Sequence, residues 1–142
     1  MNVAKITLIT LLVVLSASPV LAGDWGAGAS LFDGDNFGVQ ARKTFVLGGD
    51  ISQITTGASI YFDNTWFAFD ADYHFVINAE SPSRFYPLVG LELATDFSWA
   101  ELGLNLGGGV DFMLTDTLAA YFEAKLVVSD LDGFVATLGV KF

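Results

Sequence analysis

The chain has 142 residues, 53% of them hydrophobic, with no cysteine and a formal net charge of −10. That balance excludes disulfides, thiolate metal sites and thiol nucleophiles. It also makes nucleic acid an unsuitable partner, because phosphate binding requires a basic surface.

Residues 1–22 read as a cleavable signal peptide. Lys5 supplies the positive start, Ile6 to Leu15 the apolar run, and Val20 and Ala22 the small-residue ending that a signal peptidase inspects. The run is too short for a spanning helix. No later segment is apolar enough to span as one, so any membrane insertion of the remaining domain, residues 23–142, must be by strands. Cleavage removes Lys5 and leaves 120 residues with a formal charge of −11, the size of one domain.

From Trp25 onward the chain alternates with period two, the signature of strands. Trp25, Ala27, Ala29 and Leu31 oppose Gly26, Gly28, Ser30 and Phe32, and Asp33 to Asn36 turns the chain. Phe37, Val39, Ala41, Lys43, Phe45 and Leu47 then oppose Gly38, Gln40, Arg42 and Thr44, up to a turn at Gly48–Asp50. The third strand, Ile51 to Phe62, sets Ile54, Thr56, Ala58 and Ile60 against Gln53, Thr55, Gly57, Ser59 and Tyr61, with a tight turn at Asp63-Asn64. The fourth, Thr65 to Ile77, puts Phe67, Phe69, Ala71, Tyr73 and Phe75 on one side and Trp66, Ala68, Asp70, Asp72 and His74 on the other.

Asn78 to Ser83 is a turn, and Arg84 to Thr95 alternates Phe85, Pro87, Val89, Leu91 and Leu93 with Tyr86, Leu88, Gly90, Glu92 and Ala94. Pro87 is acceptable in a strand only near an end or a bulge. A hairpin follows the link Asp96–Ala100. Leu102, Leu104, Leu106, Val110, Phe112 and Leu114 and then Leu118, Ala120, Phe122, Ala124, Leu126 and Val128 make an uncharged face. Glu101, Asn105, Asp111, Glu123 and Lys125 lie on the other, among Gly103, Gly107 and Gly109, with Thr115–Thr117 as the turn. Ser129 to Gly133 leads to a last strand with Phe134, Ala136, Leu138, Val140 and Phe142 outward and Val135, Thr137, Gly139 and Lys141 inward.

The stretch Gly103-Leu-Asn-Leu-Gly-Gly-Gly-Val-Asp-Phe-Met-Leu-Thr-Asp-Thr-Leu118, followed by Phe122-Glu-Ala-Lys125 and the ending Leu138-Gly-Val-Lys-Phe142, resembles the small outer-membrane β-barrel family related to opacity proteins and OmpA/OmpX-type barrels. The likeness is sharpest over the last 40 or so residues. It implies an outer-membrane location, outer-membrane lipids and lipopolysaccharide as surroundings, and recognition by the barrel-assembly machinery through the C-terminal strand ending in Phe142.

The expected fold is therefore all-β: an eight-stranded antiparallel up-and-down transmembrane β-barrel whose strands of roughly ten residues match a tilted crossing. An even count puts both ends on one side, the periplasm for an exported chain. The turns at Gly48–Asp50, Asn78–Ser83 and Thr115–Thr117 would lie there too, with the other four outside. A soluble calyx would invert the polarity of the wall. Here Lys43, near a strand end, is the only charge in the outward set, whereas the inward set holds Arg42, Asp70, Asp72, His74, Glu92, Glu101, Asp111, Glu123, Lys125 and Lys141. Unpaired charges in a dry pocket cost several kcal/mol each.

The inward charges are expected to form an ion-pair network that plugs the lumen, made of Arg42, Asp70, Asp72, His74, Glu92, Asp111, Glu123, Lys125 and Lys141. If Ile77 faces Phe85, Asp72 falls opposite Gly90 and Asp70 opposite Glu92, which is destabilising unless a cation intervenes or one carboxylate holds a proton. Glu123 falls opposite Gly109 and, across the last hairpin, opposite Gly139. Glycine on both sides leaves room for a bridging Lys or Arg, with Lys125 the nearest on that face.

One His and no Cys is a poor set for a tight metal site, so neither cofactor nor resident metal is expected. A divalent cation bridging Asp33, Asp35, Asp63, Asp130 and Asp132 at the outer rim to anionic lipid is a further possibility. No catalytic residues are assigned. The expected function is a structural, envelope role for a monomer, with surface interaction of the opacity kind and a narrow channel as alternatives.

Overall fold

The structure, a computed structural model, describes residues 24–49, 51–130 and 132–142. The expected signal peptide, and Asp50 in its turn, lie outside the described residues. Eight strands follow one another: β1 (Asp24–Phe32), β2 (Asn36–Gly48), β3 (Ser52–Tyr61), β4 (Trp66–Phe75), β5 (Ser83–Thr95), β6 (Ala100–Met113), β7 (Ala119–Val128) and β8 (Gly133–Lys141). Each pairs antiparallel with the next, and β1 pairs with β8 from Gly26↔Lys141 to Phe32↔Val135, closing the sheet into a barrel. Two further backbone bonds between Trp25 and Phe142, of 3.1 and 2.8 Å, extend that seam. Closure leaves no row of open backbone donors and acceptors, the condition for a β-structure to sit in hydrocarbon.

The alternation decides which side chain faces where. In β7, Ala119, Tyr121, Glu123, Lys125 and Val127 are buried, while Phe122, Leu126 and Val128 are exposed. In β5 and β6 the outward set includes Val89, Leu91, Leu93, Leu102, Leu104 and Leu106, all at least 41% exposed. The barrel is thus inside out relative to a soluble one, with charge at its centre and aliphatic side chains on its wall.

Three local features differ from the plain zigzag. Phe67, on the outer face, is only 1% exposed because Phe97 folds back from the β5–β6 loop, at φ 72°, and sets its ring 5.4 Å from that of Phe67. Lys43, also on the outer face, is buried, with its Nζ 4.7 Å from the ring centre of Trp25 and 5.7 Å from that of Phe45. In β2 the pairing with β3 shifts between Val46 and Gly48, so Val46 and Leu47 are both exposed and the alternation is lost there.

Pro87 sits inside β5 at a break in the sheet. The β4–β5 ladder runs from Phe67↔Thr95 to His74↔Leu88, stops, and is followed only by the isolated bridge Ile77↔Phe85. A residue without an N–H is harmless where no ladder bond is made.

The interior has three layers. Where the hairpins β1–β2, β3–β4, β5–β6 and β7–β8 turn, Phe32, Tyr61, Trp66, Ala68, Ala94, Val127 and Val135 form an apolar cap. Tyr61 stacks on Trp66 with ring centres 4.3 Å apart, and Phe32 meets Trp66 edge-on at 5.1 Å. Val76, Tyr86, Leu88 and Ala79 form a smaller apolar cluster toward the end that carries both termini. The charged layer lies between. The inward parity of Phe32, Tyr61, Trp66, Ala68, Tyr86, Leu88, Ala94, Val127 and Val135 is as the sequence indicates, but an aromatic cap adds to the expected polar filling of the lumen.

Candidate functional site

The charged layer divides into three groups. In the first, Arg42 from β2 reaches across to Glu123 on β7, with Nη1 donating to Oε2 at 2.9 Å and Nη2 to Oε1 at 3.1 Å. Nε and Nη2 also donate to Gln40 Oε1 at 2.9 and 2.6 Å, and the guanidinium lies 4.2 Å from the centre of the Tyr121 ring. The Tyr86 hydroxyl donates to Glu123 Oε2 at 2.8 Å. His74 Nε2 is 3.9 Å from the same oxygen, too far for a hydrogen bond, and its ring is stacked on Tyr86 at 4.3 Å with 8° between planes.

The bridging cation for Glu123 is therefore Arg42, not Lys125. Arg42 is longer and forked, and its planar donor pair matches the two carboxylate oxygens. The register also corrects one expected neighbour. Glu123 lies opposite Gly109, as expected, but across the last hairpin it lies opposite Thr137, and it is Tyr121 that faces Gly139. The difference is two residues, because the pairing closes at Val127↔Gly133. A two-residue shift keeps every side chain on its face.

The second group centres on Lys125. Its Nζ lies 3.0 Å from Asp70 Oδ2, 3.2 Å from Asp72 Oδ2 and 3.6 Å from Glu92 Oε2. Asn105, fully buried on β6, donates from Nδ2 to Asp72 Oδ1 at 2.8 Å. The pairs Asp70↔Glu92 and Asp72↔Gly90 and the bridge Ile77↔Phe85 follow the register read from the sequence. The like charges of Asp70 and Glu92 are reconciled by a cation between them. Room for these carboxylates comes from glycine on the neighbouring strands: a Cβ at Gly57 would lie 2.5 Å from Asp70 Oδ1, and one at Gly90 would collide with Asp72 Oδ1 and the backbone of Ala71. In the third group, Lys141 Nζ holds Asp111 Oδ2 at 2.7 Å.

Tyr86, Tyr121, Gln40 and Asn105 belong to this machinery and were not singled out from sequence. A signal for two of them was present: Tyr86 and Tyr121 are large inward residues that face glycines, Gly109 and Gly139.

Two of the five rim aspartates bond to loop and strand backbone. Asp33 Oδ1 accepts the Phe134 N–H at 2.9 Å and Asp132 Oδ1 the Ser129 N–H at 2.6 Å, while Asp35, Asp63 and Asp130 are exposed. Among the described residues no three His, Asp or Glu side chains are grouped to hold a metal ion. His74 is fully buried and has no hydroxyl or carboxylate within hydrogen-bond distance of either nitrogen. That is not the geometry of a base paired with a nucleophile.

No family model matches the chain, and no curated protein matches it. Solved structures do. The N-terminal β-barrel domain of Pseudomonas aeruginosa OprF aligns over 84% of this chain and 94% of its own, with TM-score 0.69 and 18% identity. A de novo designed transmembrane β-barrel aligns over 84% and 92%, with TM-score 0.70 and 11% identity. Neisserial surface protein A aligns over 83% and 93%, with TM-score 0.62 and 12% identity. The fold is that of the small eight-stranded outer-membrane barrels.

Proposed function

We propose that this chain is a small integral outer-membrane protein that contributes to envelope structure, without catalysis and without an open pore. One observation carries the reading: the exposed surface of the wall is aliphatic and aromatic around the whole closed sheet, from Leu31 and Phe37 through Leu91 and Leu104 to Leu138, while the charges turn inward. Such a surface is stable only against hydrocarbon. The aromatic cap over a paired, buried layer of charges supports a sealed lumen. The likeness to OprF, Neisserial surface protein A and a designed transmembrane barrel supports the same address. On this reading residues 1–22 are removed on export, both termini face the periplasm, lipopolysaccharide surrounds the outer half, and the last strand ending in Phe142 is what the assembly machinery receives.

The surface-interaction alternative needs protruding loops. Those at Asp33–Asp35, Phe62–Thr65 and Asp96–Trp99 are short, which supports the structural reading. The test is membrane fractionation of the expressed chain with gel mobility before and after boiling, followed by single-channel recording in planar bilayers. Recovery in the outer membrane, faster migration of the unheated form and no discrete conductance are expected. A soluble chain, or steady unitary currents, would overturn the location or the sealed lumen respectively.

A further inference from the structure

The outer wall is not evenly rough. One row of outward positions carries no large flexible side chain: Ala136 on β8 pairs with Ala124 on β7, Ala124 with Gly108 on β6, and Gly108 with Pro87 on β5. The rows beside it are tall. Leu138, Phe122 and Val110 follow one flank and Phe134, Leu126 and Leu106 the other, and their leucines and phenylalanines are 45–63% exposed. The row is therefore the floor of a trench. Where β8 meets β1 it opens into a hollow of about 250 Å³, bordered by Ala29, Ala136, Leu31, Phe37, Phe122 and Leu138. The hollow lies beside the β1–β2 turn, since Leu31 and Phe37 pair across that turn. From there the trench descends. Ala136 is in the half of β8 nearer that end and Pro87 in the half of β5 nearer the other.

An empty trench forfeits dispersion contacts along its whole floor, and its shape selects among occupants. The path from Ala29 to Pro87 runs from β1 through β8, β7 and β6 to β5 in a closed barrel, so it curves around the wall. A second copy is rigid and convex, and would rest on the flanks at one strand or two and leave the floor bare. A thread that bends can follow the curve. The floor and flank residues carry no charge, and the hydroxyls of Ser30 and Thr137, the polar residues at the border of the hollow, bond each other at 2.8 Å. The thread is therefore hydrocarbon. At about 4.8 Å per strand the path is roughly 19 Å long, comparable with one extended acyl chain.

We propose that the trench seats one saturated acyl chain of a lipopolysaccharide molecule, which enters at the hollow and lies along Ala136, Ala124 and Gly108. The entrance is at the outer end of the barrel, where that lipid forms the leaflet. Several chains share its headgroup, so one can lie against the wall while the others remain in the leaflet. This assignment rests on the outer-membrane reading above.

The test uses the whole chain, with labelled alanine methyl groups, in nanodiscs of chain-deuterated phosphatidylethanolamine and protonated lipid A. Magnetisation transferred from the lipid A chain protons is expected to reach the Ala124 and Ala136 methyls about threefold or more strongly than those of Ala41 and Ala58, which pair on the same outer wall outside the trench. With the deuteration exchanged, so that only the phospholipid is protonated, the excess should vanish. Ala124→Phe fills the floor from the lipid side; it is expected to keep the heat-modifiable mobility and to bring Ala136 down to the level of Ala41. Equal transfer to all these methyls, an excess from phospholipid, protein contacts from a second barrel, or an excess that survives Ala124→Phe would each overturn the assignment and leave the outer-membrane reading standing. A chain that stays out of the nanodisc would overturn both.

Discussion

Arg42 and Glu123 meet across the lumen through two parallel hydrogen bonds of 2.9 and 3.1 Å, with both side chains only 2% exposed. Taking either charge out of water is costly, and the pair is stable because each oxygen and each guanidinium nitrogen is used, with Gln40 and Tyr86 completing the set. Removing one partner strands the other. Glu123→Ala is expected to cost about 3–5 kcal/mol in unfolding free energy, measured by urea titration in lipid vesicles. The double variant with Arg42→Ala should be less destabilised than the sum of the two single changes. Additive costs would mean that the two groups do not act as a pair.

Lys125 answers to three carboxylates, so its loss should be felt more widely. Lys125→Met leaves Asp70, Asp72 and Glu92 facing one another without a cation, and failure to reach the heat-modifiable folded form is expected. Adding Asp70→Asn and Glu92→Gln should restore folding at least in part, since neutral side chains remove the repulsion. If the triple variant folds no better than Lys125→Met, the defect lies in packing and not in charge.

Gly90 is placed by contact and not by backbone angle. Gly90→Ala would push a methyl group into Asp72 and the Ala71 carbonyl, and overpacking of this kind costs about 1–3 kcal/mol. Gly103→Ala is the comparison, because its nearest neighbours, Val127 Cγ1 at 3.0 Å and Ser129 Cβ at 3.1 Å, stand farther off than the atoms a methyl group at Gly90 would meet. The prediction is a lower urea midpoint for Gly90→Ala than for Gly103→Ala.

Leu106 lies midway along β6, 50% exposed and paired with Val89 and Leu126 on the outer wall. In a bilayer, Leu106→Arg should lower stability by about 2–4 kcal/mol. On a wall facing water it would be nearly neutral. Comparing unfolding of the two proteins in vesicles separates these outcomes.

The parity of nearly every strand was legible because period two needs no knowledge of tertiary structure, and one correct turn then carried the β4–β5 register from Ile77↔Phe85 to Asp70↔Glu92. What was not legible depends on reach. Whether Arg42 or Lys125 finds Glu123 is decided by side-chain length across a curved space, which strand adjacency does not contain. The last hairpin gave no guide to its pairing within two residues, because either choice leaves the same faces in place. The folding of Phe97 over Phe67 depended on a loop residue at positive φ, for which phenylalanine gives no signal.

The seam between β1 and β8 joins the two extremes of the domain in sequence. A ribosome or secretion pore delivers β1 first and its second neighbour last, so the earliest strand waits with one side bare until the final segment arrives. A fragment lacking β8 would leave β1 and β7 each with an open row of backbone donors and acceptors, so the sheet closes only when both extremes of the domain are in place.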